Sequence, residues 1–332
     1  MSDSLHAPHV RGTDRTSTMS LDVLVAILPL CIFSAVSYGI RPCLFVLAGM
    51  ASAILCESLC CLLMRRPLSI LDGTAAVTGA LCGVLMSPIA PFWMPMVAAA
   101  FAILVAKMPF GGTGRNLFNP AAAGIAVMTQ CFAYRFFTYP DPDAMLPMQL
   151  GAVSQVVTAS SPAATMQSGG STAYTWSELL LGQFPGPIGA TAILVLCACM
   201  LYLFFRRAAS PWITLPYLLT CAVIAVLFPR VSGGALNSVM LELCSGYLLF
   251  CGIFLLTDPV TSPGHWLGRL VYGVLAGILV MLLRHIGRFE EGACFAVLLL
   301  NACSTLIDRH CWRLTHFVAG RMNRSRKGGE TA

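Results

Sequence analysis

Uncharged apolar runs recur along almost the whole of this 332-residue chain. A hydrocarbon core roughly 30 Å thick requires about 20 such residues for each helical crossing. Ten runs approach that length, at residues 22–40, 42–64, 73–89, 92–106, 120–132, 188–205, 211–228, 236–256, 267–283 and 292–307. Because 57% of the residues are hydrophobic and only 10% are charged, a water-soluble fold would lack polar side chains to cover its surface. The sequence predicts an all-α integral membrane protein with about ten transmembrane helices.

The ten runs form two sets of five around the polar stretch 133–187. An odd number of crossings in each set predicts two inverted five-helix halves. CGVLMSP (82–88) and CGIFLLTDP (251–259) support this weakly, since each is followed by a run, a turn and a further apolar run. The predicted divisions are an N-terminal tail (1–20), the first half (21–132), the connection (133–187), the second half (188–308) and a basic tail (309–332).

The basic residues predict an orientation. If all ten runs cross, fifteen of the twenty Lys and Arg lie on the side of the termini, which indicates that both termini are cytoplasmic. The connection 133–187 then lies on the outer, periplasmic side. The net charge of +6 is concentrated in the C-terminal tail, which indicates contact with anionic membrane lipid and not with nucleic acid.

Metal binding is not predicted. Almost all of the fifteen cysteines lie inside apolar runs, and no Cys-x-x-Cys pair occurs, so they are interpreted as small buried apolar residues. The six histidines form no ligand pair in sequence.

A polar turn, FGGTGRNLFNP (110–120), lies between two runs on the predicted inner side. Its glycines permit positive φ and a close approach to a ligand, but spacing alone favours a plain membrane turn. No Lys-Ser/Thr pair follows, which excludes a phosphate-binding Walker loop.

Three acidic residues lie in or beside apolar runs. Asp258, in LLTDPVTSPG (255–264), either caps a helix, pairs with a base or faces water. Glu57 and Glu242 lie inside runs, where each belongs to an ion pathway or forms a polar contact between helices.

The small polar segment TASSPAATMQSGG (158–170) lies in the outer connection. From composition alone it is a flexible loop whose hydroxyls carry either a covalent group or nothing.

Longer segments resemble a known family. FGGTGRNLFNPAAAGIAVM (110–128), LLTDPVTSP (255–263) and the stretch 268–309 resemble the D subunit of bacterial Rnf complexes, a relative of the B subunit of the sodium-pumping NADH:quinone reductase. APH (7–9), MSLDVLVAILP (19–29) and LLLGQFPGPIGATA (179–192) also fit that family, so the resemblance covers nearly the whole chain.

This resemblance implies a subunit of an electron-transport complex in the bacterial inner membrane. Rnf complexes pass electrons between ferredoxin and NAD, coupled to Na⁺ or H⁺ translocation. The implied partners are the other Rnf-type subunits, A, B, C, E and G. Family members carry FMN esterified through its phosphate to an outer-side threonine, and riboflavin is a second implied cofactor.

The chain departs from the family pattern at the flavin segment. Ser161 stands at the position of the acceptor threonine, Gln155 replaces an aspartate, and Ala190 replaces a glutamate. The resemblance implies FMN attached to Ser161, with Thr165 as a second candidate. It also implies a cofactor cavity between the halves, shaped by Gly111, Gly112, Gly114, Asn116, Asn119, Asp258 and Thr261. Without covalent flavin, the same scaffold would act as a transporter-like or scaffolding subunit.

Overall fold

The computed structural model describes residues 16–66, 72–142, 144–153, 156–170, 174–231 and 234–329, with side chains described as far as residue 315. Most of the N-terminal tail and Gln155 therefore lie outside the described residues. Nearly all regular structure in the described ranges is helical, as the apolar runs predict.

In the described part of the first half there are five α-helices. They are α1 (Thr16–Tyr38), α2 (Arg41–Leu63), α3 (Thr74–Val84), α4 (Trp93–Phe101) and α5 (Pro120–Phe136). α4 continues as a π-helix (Ala102–Lys107) and a 3-10 turn (Met108–Phe110). α5 begins where Asn119 caps the backbone and Pro120 supplies a preset φ, and it has a kink at Phe132.

The connection and the second half contain the remaining elements. The connection holds β1 (Tyr139–Pro140), β2 (Thr158–Ala159), α6 (Pro162–Gln167) and α7 (Trp176–Leu181). The second half holds α8 (Ile193–Phe205), α9 (Pro211–Leu227), α10 (Ala235–Cys244), α11 (Leu248–Phe250), α12 (Trp266–Ile286) and α13 (Ala293–Gly329). α11 continues as a second π-helix (Cys251–Leu255).

Each of the ten predicted runs coincides with a helix, but the helices differ in length. Five are long and apolar enough to cross a membrane: α1, α2, α4 with its continuation, α12 and the first part of α13. α10 and α11, with a bend of 66°, make a sixth if the pair is one broken span. α3, α8 and α9 are shorter apolar helices. The chain has the helices of a multi-pass membrane protein, and the count of ten crossings stays a prediction.

Two helices extend into the predicted terminal tails. α1 begins at Thr16, inside the predicted N-terminal tail. α13 runs for 37 residues, through the predicted C-terminal tail as far as Gly329. The helical parts of the two tails, residues 16–20 and 309–329, contain no proline, so polar residues extend each helix beyond its apolar part.

Glycines allow close helix packing in both halves. A Cβ at Gly49 of α2 would collide with the carbonyl oxygen of Gly79 in α3. In the second half, a Cβ at Gly273 of α12 would lie 2.5 Å from the carbonyl oxygen of Ile213 in α9. Helices in a membrane approach each other through such small residues, and both contacts require glycine.

The bundle has two ends, which we call the loop face and the cavity face. The loop face carries the part of the connection that follows α5, residues 137–187, and the cavity face is the end at which α1 begins. At the loop face the buried Arg41 of α2 donates hydrogen bonds to the carbonyl oxygens of Pro88, Ala90, Pro147, Gln149 and Gly151. These bonds fix part of the connection to the helices.

Candidate functional site

A cavity opens between the two halves at the cavity face. Its first-half walls come from α1, α3, the π-helix ending at Lys107 and the polar turn before α5. Its second-half walls come from the end of α8 and from residues 253–260. Valine, leucine and phenylalanine side chains form much of the lining, with polar groups at a few points, as in sites for small organic ligands.

The cavity brings together several residues that the sequence singled out. Gly114, Asn116, Asn119 and Asp258 all line it. Gly111, Gly112 and Thr261 are not among its lining residues. Gly111 and Gly112 shape the neighbouring turn instead, with φ of +119° and +90° that favour glycine.

Asn119 joins the two halves of the chain. Its Oδ1 accepts a hydrogen bond from the Ala122 backbone N–H at 3.2 Å and so caps α5. Its Nδ2 donates to the carbonyl oxygen of Leu255, at the end of the second π-helix, at 3.0 Å. A π-helix leaves backbone groups outside the regular ladder, and this side chain uses one of them.

Asp258 follows that π-helix and lines the cavity wall. Thr261 Oγ1 donates to Asp258 Oδ2 at 3.0 Å, and the Val260 backbone N–H donates to Oδ1 at 3.4 Å. Burial raises the pKa of Asp258, and the hydrogen bonds oppose that shift. Within the described part of the chain, no lysine or arginine pairs with this carboxyl.

Glu57 lies behind the cavity wall in an ion pair with Lys107. Lys107 Nζ donates to Glu57 Oε2 at 2.7 Å and to Thr74 Oγ1 at 2.8 Å, and both charged side chains are 2% exposed. Sequence reasoning treated Lys107 only as one of the inside basic residues. The sequence did offer a signal for this ion pair, because Glu57 lies inside one apolar run and Lys107 directly follows another.

Glu242 lies near the opposite end of the bundle, in a cluster with the buried Arg284 and Glu291 and the partly buried Arg230. The Arg230 guanidinium binds this carboxylate through two hydrogen bonds. Nε donates to Oε1 at 2.6 Å, and Nη2 donates to Oε2 at 2.7 Å. Arg284 of α12 donates to Glu242 Oε2 at 3.0 Å and pairs on its other side with Glu291. Two arginines therefore balance two carboxylates.

The flavin-segment hydroxyls lie at the loop face. Ser161 is 3% exposed; its Oγ donates to Glu290 Oε2 and accepts from the Ala164 backbone N–H, which caps α6. Thr165 is less deeply buried, and its hydroxyl donates to the carbonyl oxygens of Ser161 and Pro162. Sequence reasoning did not identify Glu290, although adjacent glutamates in the turn HIGRFEEG mark an acidic site.

The residues present fit flavin differently at the two faces. At the cavity face, apolar walls with Asn116 and Lys107 beside them suit a flat ring that has a polar edge. At the loop face, Ser161 as folded does not fit a flavin phosphoester, because its hydroxyl is covered and touches a carboxylate. A metal is not indicated either, since no group of three or more His, Cys, Asp or Glu among the described residues is arranged to hold one.

Comparison with known proteins agrees with the motifs. The model of the NQR2, RnfD, RnfE family matches residues 4–315. The D subunit of the ion-translocating oxidoreductase complex of Stutzerimonas stutzeri is 32% identical, over 88% of this chain and 89% of its own. The D subunit of the proton-translocating ferredoxin:NAD(+) oxidoreductase complex of Clostridium ljungdahlii is 27% identical, over 91% of this chain and 92% of its own. Its counterpart in the Na(+)-translocating complex of Acetobacterium woodii is 28% identical, over 91% of each chain.

Proposed function

The chain belongs to the NQR2, RnfD, RnfE family, and on that premise we propose that it is the D subunit of an Rnf-type complex. Such a complex couples electron transfer between ferredoxin and NAD to translocation of Na⁺ or H⁺. The proposal rests on a match along nearly the whole chain to proteins named as the D subunit of ion-translocating oxidoreductases. The partners in this proposal are the other Rnf-type subunits, A, B, C, E and G.

In this proposal the ten helical segments cross the inner membrane as two inverted halves. The excess of basic residues at the cavity face supports a cytoplasmic position for that face and for both termini. The loop face, with Ser161, then faces the periplasm.

The proposal includes a role as a flavin carrier. FMN, when bound, supplies the redox chemistry, and the protein supplies position and electrostatics. The cavity is the place that suits a reversibly bound flavin, FMN or riboflavin, because its walls are largely apolar and carry polar side chains at several points. Covalent attachment at Ser161, which the family resemblance implies, requires residues 156–170 to leave the surface that covers the hydroxyl.

Membrane vesicles test the function. In membranes from a strain that lacks this chain, we expect ferredoxin-dependent NAD reduction and the coupled ion uptake to be lost, and both to return with the wild-type chain. Unchanged electron transfer without the chain would refute the proposal.

Flavin analysis tests the carrier role separately. Flavin extracted from the purified full chain by acid and identified by mass spectrometry indicates reversible binding. Fluorescence that stays with the denatured band, and disappears in Ser161→Ala but not in Thr165→Ala, indicates attachment to Ser161. A chain that has neither extractable nor covalent flavin would not be a flavin carrier.

One observation favours a second candidate, a scaffolding or transporter-like subunit without covalent flavin. The acceptor position holds a buried serine that is already hydrogen-bonded to a carboxylate. Absence of flavin fluorescence from the denatured protein band, together with intact electron transfer in vesicles, would support this candidate.

A further inference from the structure

Glu290 is a buried carboxyl that the proposed function does not use. It lies in the connection 287–292 between α12 and α13, at the loop face, and is 6% exposed. Its Oε2 accepts the hydrogen bond from Ser161. Its Oε1 is buried and has no hydrogen-bond partner among the described residues. A buried oxygen without a partner is costly in a folded protein, and it calls for an explanation.

The charges around Glu290 do not compensate it. Arg230 and Arg284 are already balanced by Glu242 and Glu291. The other groups that face Glu290 are Ser161 from the flavin segment and Tyr139 from β1, and neither is a cation. An ionised Glu290 would therefore add one unbalanced negative charge to a buried cluster.

A proton removes this excess charge. Burial raises the pKa of Glu290 from 4.5 to about 7, and the charge of Glu291 adds to the shift. The hydrogen bond from Ser161, the hydroxyl of Tyr139 and the charge of Arg284 oppose it. The carboxyl therefore takes up and releases a proton within the range of ordinary environmental pH.

Residues 156–170 dock on the connection that carries Glu290. Ser161 bonds to Glu290 at the start of α6, and Gln167 Nε2 donates to the Gly287 carbonyl oxygen at 2.8 Å at its end. Pro162, Ala163 and Met166 are buried between these two contacts. The environment of Glu290 thus depends on whether this segment is docked.

We propose that Glu290 is a proton-binding site at the loop face, and that its protonation stabilises the docked position of residues 156–170. The docked state binds the proton more tightly than the open state, in which water reaches the carboxyl. Docking is accordingly strongest below about pH 4.5 and weakens as the pH rises through about 7. Release of the segment uncovers the Ser161 hydroxyl.

Hydrogen–deuterium exchange tests this on the full chain in lipid nanodiscs. Exchange of the peptide 156–170 is followed by mass spectrometry from pH 5 to 8.5, and each rate is corrected for intrinsic exchange at that pH. The shift from 4.5 to about 7 limits the change in the docking equilibrium to about 300-fold, and we expect more than tenfold lower protection at the alkaline end. Glu290→Gln, which is always neutral, should keep the segment protected at every pH.

Glu178→Gln is the matched control. Glu178 is an exposed carboxyl in the capping box of α7, in the same connection, and it does not contact Glu290. This variant should keep the wild-type pH dependence. Wild-type protection that does not change with pH, or an unchanged pH dependence in Glu290→Gln, would overturn the proposal.

Infrared difference spectra provide a second measurement on the same samples. We expect a C=O band of a protonated carboxylic acid to be lost between pH 5 and 8 in the wild type, and that change to be absent in Glu290→Gln. If Glu290→Gln does not fold, Ser161→Ala serves instead. It removes the hydrogen bond that joins the segment to the carboxyl, so the pH at which the band disappears should shift; an unchanged midpoint would refute the proposal. Neither readout involves flavin, so this proposal and the carrier role can fail independently.

Discussion

The two faces of the bundle neutralise a buried helical carboxylate in different ways. At the cavity face, Glu57 meets one lysine, whose remaining hydrogen bond goes to a threonine. At the loop face, Glu242 meets two arginines, and one of them also holds Glu291. Lysine is a compact charge on a flexible chain, whereas the arginine fork binds carboxylates in a fixed plane. The cavity face thus has an isolated ion pair. The loop face has an interlocked cluster, in which Arg284 is shared by two carboxylates.

The comparison also separates two kinds of acid. Glu57 and Glu242, inside helices, are both paired with cations. Asp258 and Glu290, in connections just beyond helices, have no cation partner among the residues described. These two acids lie at the ends of helices, one at each face.

Arg284→Gln should have the largest effect, because it leaves both Glu242 and Glu291 without their shared cation. Removal of one partner from a buried ion pair costs about 3–5 kcal/mol. The free energy of unfolding in mixed micelles measures this loss. Arg284→Lys keeps the charge without the fork and should lose less; a loss below about 1 kcal/mol in Arg284→Gln would show that the cluster is not interlocked.

Glu57→Gln should cost less, about 2–3 kcal/mol, because Lys107 keeps its bond to Thr74 and a lysine sheds its proton more readily than an arginine. The double variant Glu57→Gln with Lys107→Met removes both charges and should recover most of the loss. The same unfolding assay gives the coupling between the two sites. Strictly additive losses would contradict the pairing.

Asn119→Ala tests the bond between the halves, with an expected loss of about 1–2 kcal/mol for one helix cap and one buried hydrogen bond. Asn116→Ala is the control, because the Asn116 amide donates only locally, to the Phe118 carbonyl oxygen. Equal losses in the two variants would mean that the bond to Leu255 contributes little.

Arg206→Gln should have the smallest effect. Its side chain is 50% exposed, and its pair with Asp22 is open to solvent, where ion pairs contribute little. The midpoint of unfolding should hardly move. A loss of unfolding free energy comparable to that of Glu57→Gln would show that exposure does not weaken this ion pair.

Much of the fold follows from hydrophobic pattern alone. The positions of the ten helical segments could be read from the apolar runs, because polar residues, Gly or Pro lie at or near most of their ends. Helix ends were harder to predict. α13 continues as a helix where its residues become polar, and no local signal marked where it leaves the apolar layer.

The site was predictable in part, for the same reason. Asn116, Asn119 and Asp258 occur in polar turns beside apolar runs, and they do converge on one cavity. The pairing of Glu57 with Lys107, and of Glu242 with Arg230 and Arg284, depends on tertiary contacts that the sequence does not encode locally. The docking of Ser161 on Glu290 joins residues 129 positions apart, so no motif could reveal it.

The unbroken helix α13 has a mechanical consequence. Its 37 residues form a stiff rod about 55 Å long that starts just after Glu290 and Glu291 and carries four basic residues in its final third. A tilt of about 5° at its first turn displaces the far end by about 5 Å. A rearrangement of residues 287–292 that tilts α13 would therefore displace its far end sideways.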